Sequence, residues 1–377
     1  MGQVFRWCKH FVVLALGLAL VPFVTEAQHY TQTNLVSDQP GVALVTDPNL
    51  INPWGLTRSP STSKPGSPWW VSDNNSGFST LYTGAGAIIP INGTGTVTIP
   101  PPKGSPAGTL ATPTGVVYNG SPTDFLIAPS TPAAFIFVTE DGTISAWAGG
   151  AAATLEVDHS AGGSPRGAVY KGATIGLVNG KAFLYVTNFR SGRVEVYDTN
   201  FKPVHISEEL FDDDRIPRDF APFNIQNIGG TLFVTYAKQD APKHDDVAGE
   251  GLGFVELYQP DGRHIGHLQQ GPWLNAPWGV VWTPRDFGAF SNSILVGNFG
   301  SGWVAAYNGF THEFIGFVKN PDNSILTIDG LWSLTFGNDG NAGPSTTLFF
   351  SAGPDGETHG LFGTLTPVAS EQTGAVE

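Results

Sequence analysis

The sequence predicts an all-β protein, a six-bladed β-propeller with four-stranded blades, its ring closed by an N-terminal strand joining the last blade. Three observations predict it. Glycine (48) and proline (29) are abundant while only 13% of residues are charged, a composition suited to short strands and tight turns rather than to helices with charged outer faces. A marker resembling Pro-Trp-Gly recurs six times at steps of about 55 residues, a period that accommodates one blade. Two further strand signals repeat in step with it. Hydrophobic residues make up 41% of the chain and aromatic ones 12%, ample material for a core, so global disorder is excluded.

Taken in order, residues 1–27 begin with the basic Arg6 and Lys9, continue through the apolar stretch Phe11 to Val24, and end in Thr25-Glu26-Ala27. This is the pattern of a signal peptide cleaved after Ala27. Its apolar run is shorter than the roughly 20 residues of a membrane span. The mature chain is therefore expected to be secreted or periplasmic, with no stable span. Cys8, the sole cysteine, leaves with the peptide, which excludes disulfides, thiolate nucleophiles and cysteine-ligated metals. The propeller is expected over 28–368 and a flexible tail over 369–377.

Within the propeller, a strand at Thr31 to Ser37 precedes the first repeat and is expected to complete the last. The first marker reads NPWGL at Asn52, TPTGV at Thr112, SPRGA at Ser164, APFNI at Ala221, APWGV at Ala276 and LWSL at Leu331. A second, β-branched or aromatic marker ends at Asp73, Glu140, Asn188, Tyr236, Asn298 and Ala352. A third ends at the aromatics Tyr82, Trp147, Tyr197, Tyr258 and Tyr307, with a degenerate copy around Leu361 to Thr364. A more polar outer strand, such as Lys202 to Ser207, completes each blade. Stacked sandwich domains would need a period nearer 100. The last unit runs out after three strands near Pro367, leaving one place for the N-terminal strand and no exposed edge.

The net charge of −14, without any run of Lys or Arg, excludes nucleic acid as a partner. GEGLGF at Gly249 to Phe254 precedes a strand instead of a helix, which removes the mechanism of a dinucleotide loop. No HExxH pair or G-x-S-x-G elbow occurs. No nucleotide, flavin or haem is expected.

In a blade, the start of the innermost strand and the end of the second lie at the same mouth of the channel. This places Asn52, Asn275, Asp73, Glu140, Asn188, Tyr236 and Asn298 around one rim. Asp73, Glu140, Asn188 and Asn298 read as equivalent positions whose converging oxygens suit a hard cation such as Ca²⁺; the competing reading gives them turn bonds after a strand. Tyr236 and Tyr258 stand 22 positions apart where the other copies stand seven to nine apart, so blade four carries an insertion of about 13 residues, longer than an ordinary connector. It holds Lys238, Asp240, Lys243, His244, Asp245, Asp246 and Glu250, and reads either as a metal or substrate lid or as a solvated acidic loop. Arg190, in the NF-x-SG loop at Asn188, is expected to face the mouth and an anionic substrate. Trp54, Trp278 and Trp332 are expected to pack between blades, with sugar stacking as the alternative.

The segments NLVSDQPG, INPWGL, WWVSDNNSG, TYAKQDAPKHDDVAGEGLGFVELY, NAPWGV, VGNFGSG, IDGLW and SAGPDGETHGLFG resemble an exported bacterial family of six-bladed, NHL-like propellers, some of whose members carry a PEP-CTERM sorting tail. The resemblance spans nearly all of the mature chain and implies a fold and export; it brings no catalytic residues. Nothing after Thr366 resembles the sorting tail. The functional expectation is a monomeric binding module or envelope scaffold whose partner is a small molecule, a glycan or an envelope protein. Asn52, Arg190, Tyr236, Lys238 and Asn275 are its candidate ligand contacts, and Asp73, Glu140, Asn188, Asn298, Asp240, His244, Asp245 and Asp246 its candidate Ca²⁺ ligands. The alternative is a Ca²⁺-dependent hydrolase, since the arrangement resembles the calcium-dependent lactonase propellers.

Overall fold

The computed structural model describes residue 2 and residues 29–62, 65–91, 93–207 and 209–369. The expected signal peptide and tail lie outside the described residues, apart from Gly2 and Ala369. Five sheets hold four strands each in chain order, because consecutive strands of each blade pair antiparallel; the connection from Pro113–Tyr118 to Phe135–Thr139 carries a small two-stranded sheet of its own, Leu126–Ala128 with Thr131–Pro132. Blade one is Pro53–Thr57, Trp69–Asp73, Phe78–Tyr82 and Thr96–Thr98. Blade two is Pro113–Tyr118, Phe135–Thr139, Thr143–Trp147 and Thr154–Asp158. Blades three, four and five start from Tyr170–Val178, Phe220–Ile228 and Pro277–Trp282. Blade six combines Leu331–Phe336, Leu348–Ala352 and Leu361–Pro367 with the N-terminal Tyr30–Ser37. That strand pairs antiparallel with Leu361–Pro367 from Tyr30↔Pro367 to Ser37↔Leu361, and Val45–Thr46 adds a short parallel pair outside it.

Six of the seven apolar clusters lie between successive blades, as in the packing of Trp70, Val116, Phe135 and Phe137 between blades one and two. The seventh lies on the axis. Alternation along each strand explains the arrangement: one face of a blade meets the preceding blade and the other meets the following one. No helix among the described residues is long and apolar enough to cross a membrane.

The innermost strands share a defect that positions the site. Register against the second strand breaks within Pro53/Leu56, Tyr170/Ala173, Pro222/Asn224, Pro277/Val280 and Leu331/Leu334, and between Phe137 and Thr139 opposite Pro113. A bulge of this kind re-aims a side chain. The re-aimed residue follows the one at which register breaks: Trp54, Thr114, Lys171, Phe223, Trp278 and Trp332. In four blades a glycine follows it and is required by close approach, since a Cβ on Gly279 would lie 2.7 Å from Trp332 O and one on Gly115 2.8 Å from Ala173 N; Asn224 and Ser333 hold the place in the other two.

This register corrects one repeat. Ser164-Pro165-Arg166 imitates the marker but lies in a loop. The innermost strand of blade three begins at Tyr170, paired with Asn188, so the third copy is Tyr170-Lys171-Gly172.

Candidate functional site: the channel mouth

The floor of the site is aromatic. Trp54 stacks on Trp332 with ring centroids 3.5 Å apart, and Trp278 meets both edge-on at 6.1 and 5.9 Å. Phe299 stacks on Trp332 at 3.9 Å and Phe189 leans on Phe223 at 5.2 Å. The three tryptophans thus pack between blades as expected, with Trp332 of blade six meeting Trp54 of blade one and Trp278 of blade five in one cluster on the axis.

Lys171 stands on this floor. It is 1% exposed, with its ammonium 4.8 Å from the Trp54 ring centroid, 5.6 Å from Phe189 and 5.9 Å from Phe223, a cation–π seat. Above it, Nζ donates to Glu140 Oε1 and lies 3.6 Å from Asp245 Oδ1. Burial alone would lower the lysine's pKa, but Glu140 and Asp245 outweigh it and hold the group above its usual value.

Each carboxylate around Lys171 comes from a different place. Glu140 follows the second strand of blade two, and its Oε2 accepts from Asn74 Nδ2 at 2.8 Å. Asp245 belongs to the blade-four insertion, where His244 Nδ1 contacts its Oδ1 at 2.8 Å. That hydrogen bond chiefly lowers the Asp245 pKa and raises that of His244. Burial pushes Asp246 up to about 7, with Lys171 opposing and the charge of Glu357 adding. Glu357 comes from the blade-six hairpin, where Asp355, Gly356 and Glu357 have φ of 54°, 63° and 67°. Left-handed backbone costs of order 1–3 kcal/mol at each non-glycine residue, so this hairpin stores strain where it delivers Glu357. Its Oε2 accepts from Asn52 Nδ2 at 2.7 Å, and Asn52 Oδ1 accepts from Trp332 Nε1 at 3.1 Å. Asn52 itself has φ 49°, a conformation asparagine tolerates better than most.

The insertion continues blade four as a short ribbon. Gln239 bridges Asp246, and Val247 N donates to Lys238 O at 2.8 Å. Asp240 Oδ1 closes its tip by accepting from His244 N at 2.8 Å and Asp245 N at 3.2 Å. A Cβ on Gly300 of blade five would lie 2.8 Å from that of Ala248, so the ribbon reaches the next blade's loop and covers the mouth.

The structure brings together Asn52, Glu140, His244, Asp245 and Asp246, and sends the other sequence candidates elsewhere. Asp73 is fully buried in its own hairpin, where Oδ2 accepts from Thr80 N at 2.9 Å and burial holds the carboxyl well above its usual range. Asn188 Oδ1 accepts from Val169 N and Ser191 N. Asn298 Oδ1 accepts from Asn275 N at 2.8 Å, and Asn275 Oδ1 accepts from Gly249 N at 2.7 Å. Arg190 Nη1 donates to Gly167 O at 2.8 Å. Lys238 pairs with Asp219 at 3.4 Å. Tyr236 is buried between blades three and four, its hydroxyl 3.1 Å from that of Tyr258.

Face parity explains the split. Asp73, Asn188 and Asn298 pair directly with the first residue of the innermost strand, whereas Thr139, not Glu140, holds that place in blade two. Glu140 is one residue further on and so turns to the axis. Sequence reasoning missed Lys171, Asn74 and Glu357; for Lys171 a signal existed, Lys-Gly standing where other blades have Trp-Gly or Thr-Gly.

Comparisons with known proteins bear on the fold alone. No family model matches the chain. Uncharacterized protein R640 of Acanthamoeba polyphaga mimivirus is 33% identical over 232 residues, 59% of this chain, and the match spans only 42% of that relative. Uncharacterized protein R648 of the same virus is 27% identical over 348 residues, 88% of this chain and 78% of its own length. These relatives are viral, so they lend no support to the bacterial family or its PEP-CTERM tail. Among solved structures, an α-L-arabinofuranosidase, arb93a of Fusarium graminearum, shares 10% identity with a TM-score of 0.53, over 92% of this chain and 100% of its own. A streptogramin B lyase shares 13% with a TM-score of 0.47, over 90% and 97%. A gluconolactonase from Xanthomonas campestris shares 11% with a TM-score of 0.37, over 68% and 86%. The chain is a six-bladed β-propeller, and a fold does not fix a function, so function has to be read from the mouth itself.

Proposed function

We propose that the protein is an exported binding module, secreted or periplasmic, that takes a small hydroxyl-rich molecule or the end of a glycan at the mouth of its channel. The observation that carries this reading is Lys171, buried on an aromatic floor between Glu140 and Asp245. A buried ion pair is a poor way to stabilise a core, and tryptophan fills the same slot in three other blades. The polar centre is therefore better accounted for by a ligand than by packing. Asn52, Asn74, Lys171 and His244 offer donors, and Glu140, Asp245, Asp246 and Glu357 acceptors, the mixed set that hydroxyl groups need. Saturation-transfer NMR against a panel of mono- and oligosaccharides tests it. Binding that weakens at least tenfold in Glu140→Gln supports the reading; a folded protein that binds none of the panel removes it.

A second reading rests on Glu140, His244 and Asp245, whose ligand atoms all lie within 4.8 Å of one another. Ca²⁺ held there would polarise a carbonyl while Glu140 or Asp245 received a water proton, making the mouth hydrolytic. Two features oppose it. Ca²⁺ prefers oxygen to the imidazole of His244, and an ammonium about 4 Å from a dication costs on the order of 8 kcal/mol at an effective dielectric near 20. Calorimetry with Ca²⁺, alongside turnover of a lactone and ester panel, separates the readings: saturable heat lost in Asp245→Asn together with hydrolysis favours the second.

A further inference from the structure

We propose that His159, Tyr170, Glu195 and Tyr197 form a binding site for ferric iron between blades two and three, separate from the channel mouth. Tyr170 opens the innermost strand of blade three, Glu195 and Tyr197 share one face of its third strand, Arg193–Tyr197, and His159 follows the outer strand of blade two, Thr154–Asp158. Four potential ligand atoms converge. Tyr170 Oη lies 2.8 Å from His159 Nδ1, from Glu195 Oε2 and from Tyr197 Oη. Tyr197 Oη lies 2.7 Å from Glu195 Oε2 and 3.2 Å from His159 Nδ1. The sixth distance, His159 Nδ1 to Glu195 Oε2, is 3.9 Å.

Those six distances have the pattern of an octahedron. With bonds of about 2 Å, adjacent ligands stand roughly 2.8 Å apart and opposite ligands about 4 Å apart. Four ligands that include one opposite pair give five short distances and one long one, as observed here. The point midway between the His159 nitrogen and the Glu195 oxygen lies about 2 Å from all four atoms, the bond length of such metals. Two adjacent vertices, opposite the phenols, remain for water or a small anion.

Hydrogen bonding alone does not account for the cluster. Five contacts of 3.2 Å or less share at most four protons, one each from the two phenols, the imidazole and the carboxyl. At least one contact then has no proton of its own, an arrangement a central cation relieves. The donor set selects the cation: two phenolates and a carboxylate carry three negative charges and are hard oxygen donors, which a trivalent ion neutralises and a divalent ion leaves in surplus. Binding releases the two phenol protons to solvent. Glu195 is oriented for the role, since its other oxygen, Oε1, accepts from Asn188 Nδ2 at 2.7 Å. Both tyrosines are fully buried, while the His159 side chain, 44% exposed, leaves a way in. The corresponding tyrosines elsewhere have other partners: Tyr82 donates to Asp47, and Tyr307 accepts from Trp273.

The test is titration of the purified protein with ferric nitrilotriacetate, followed by desalting and metal analysis. One iron per chain is expected, with the visible phenolate-to-iron charge-transfer absorption. The absorption should vanish in the Tyr170→Phe/Tyr197→Phe variant, and iron retention should fall at least tenfold in His159→Ala, whose exposed position leaves folding intact. The mouth cluster has no phenol and cannot supply that band. No iron uptake by the wild type, a band that survives loss of both phenols, retention unchanged in His159→Ala, or Zn²⁺ retained with ferric iron rejected would each overturn the assignment.

Discussion

Lys171 separates packing from charge, because the slot it occupies holds an aromatic ring in four other blades. Lys171→Met keeps the length of the side chain but leaves Glu140 buried without its cation, a loss that costs about 3–5 kcal/mol in comparable pairs. Adding Glu140→Gln removes the orphaned charge, so the double variant should recover most of that loss in urea denaturation; additive losses would show that the pair is not coupled. Glu256, on the third strand of blade four, has a side chain 3% exposed that lies 2.9 Å from Arg215 and 2.8 Å from His264. Burial pushes its carboxyl up to about 8, with Arg215 opposing and Asp213 adding. A raised carboxyl resists ionising in the folded state, so its contribution is complete below the unfolded value near 4.5 and is lost as pH rises through about 8. Thermal melts should therefore show stability falling between these pH values, and Glu256→Gln, which cannot ionise, should flatten that fall; an identical slope in both proteins would contradict it. The Lys-Gly pair is the one sequence signal for Lys171, and Glu256 has none: both acquire their roles from what a bulge and a neighbouring loop place beside them.

At the scale of elements, the hairpins between second and third strands deliver the variable side chains of the mouth, and the inner strands carry the repeat. The blade-four ribbon touches the ring through a few polar contacts and the edge of blade five, so it can be removed without opening a blade. Replacing Asp240 to Ala248 by two glycines should leave the propeller cooperative in calorimetry and weaken ligand binding at least tenfold, through loss of the His244 and Asp245 contacts. Binding unchanged by the deletion would assign the ribbon a covering role alone. The insertion is legible in the sequence because it breaks a regular spacing, and its acids stand out in a chain poor in charge. The start of blade three is less legible. Ser164-Pro165-Arg166 carries the proline that marks other blades, whereas the true strand opens with Tyr170, and only backbone register distinguishes them. Glu140 illustrates the same limit: a one-residue offset reverses the face of a strand, and side-chain type does not report it.

The whole molecule depends on a single closure. Blade six lacks an outer strand until Tyr30–Ser37 arrives from the other end of the chain, so first and last elements are bonded across more than 300 positions. This pairing was legible as a count, three strands at one end and an unassigned one at the other. Its anchoring was not. Tyr30 is fully buried, stacks on Phe290 at 5.9 Å and Phe287 at 4.9 Å, and donates to Phe287 O at 2.9 Å, tying blade five to the strand that closes blade six. Further along, Leu35 and Val36 pack against Phe362 and Tyr82, so the same strand joins blade six to blade one. Deleting residues 1–38 removes the clasp and both anchors, and leaves Leu361–Pro367 as an unpaired, largely buried-type edge. The melting temperature should fall by at least about 10 °C, since the lost burial is worth several kcal/mol in a domain of this size, and the shortened protein should self-associate in analytical ultracentrifugation. A synthetic peptide of residues 29–47, added in excess, should restore both the melting temperature and the monomer by refilling the edge. A truncated protein that stays monomeric and melts where the full chain does would show that the ring holds without its closing strand.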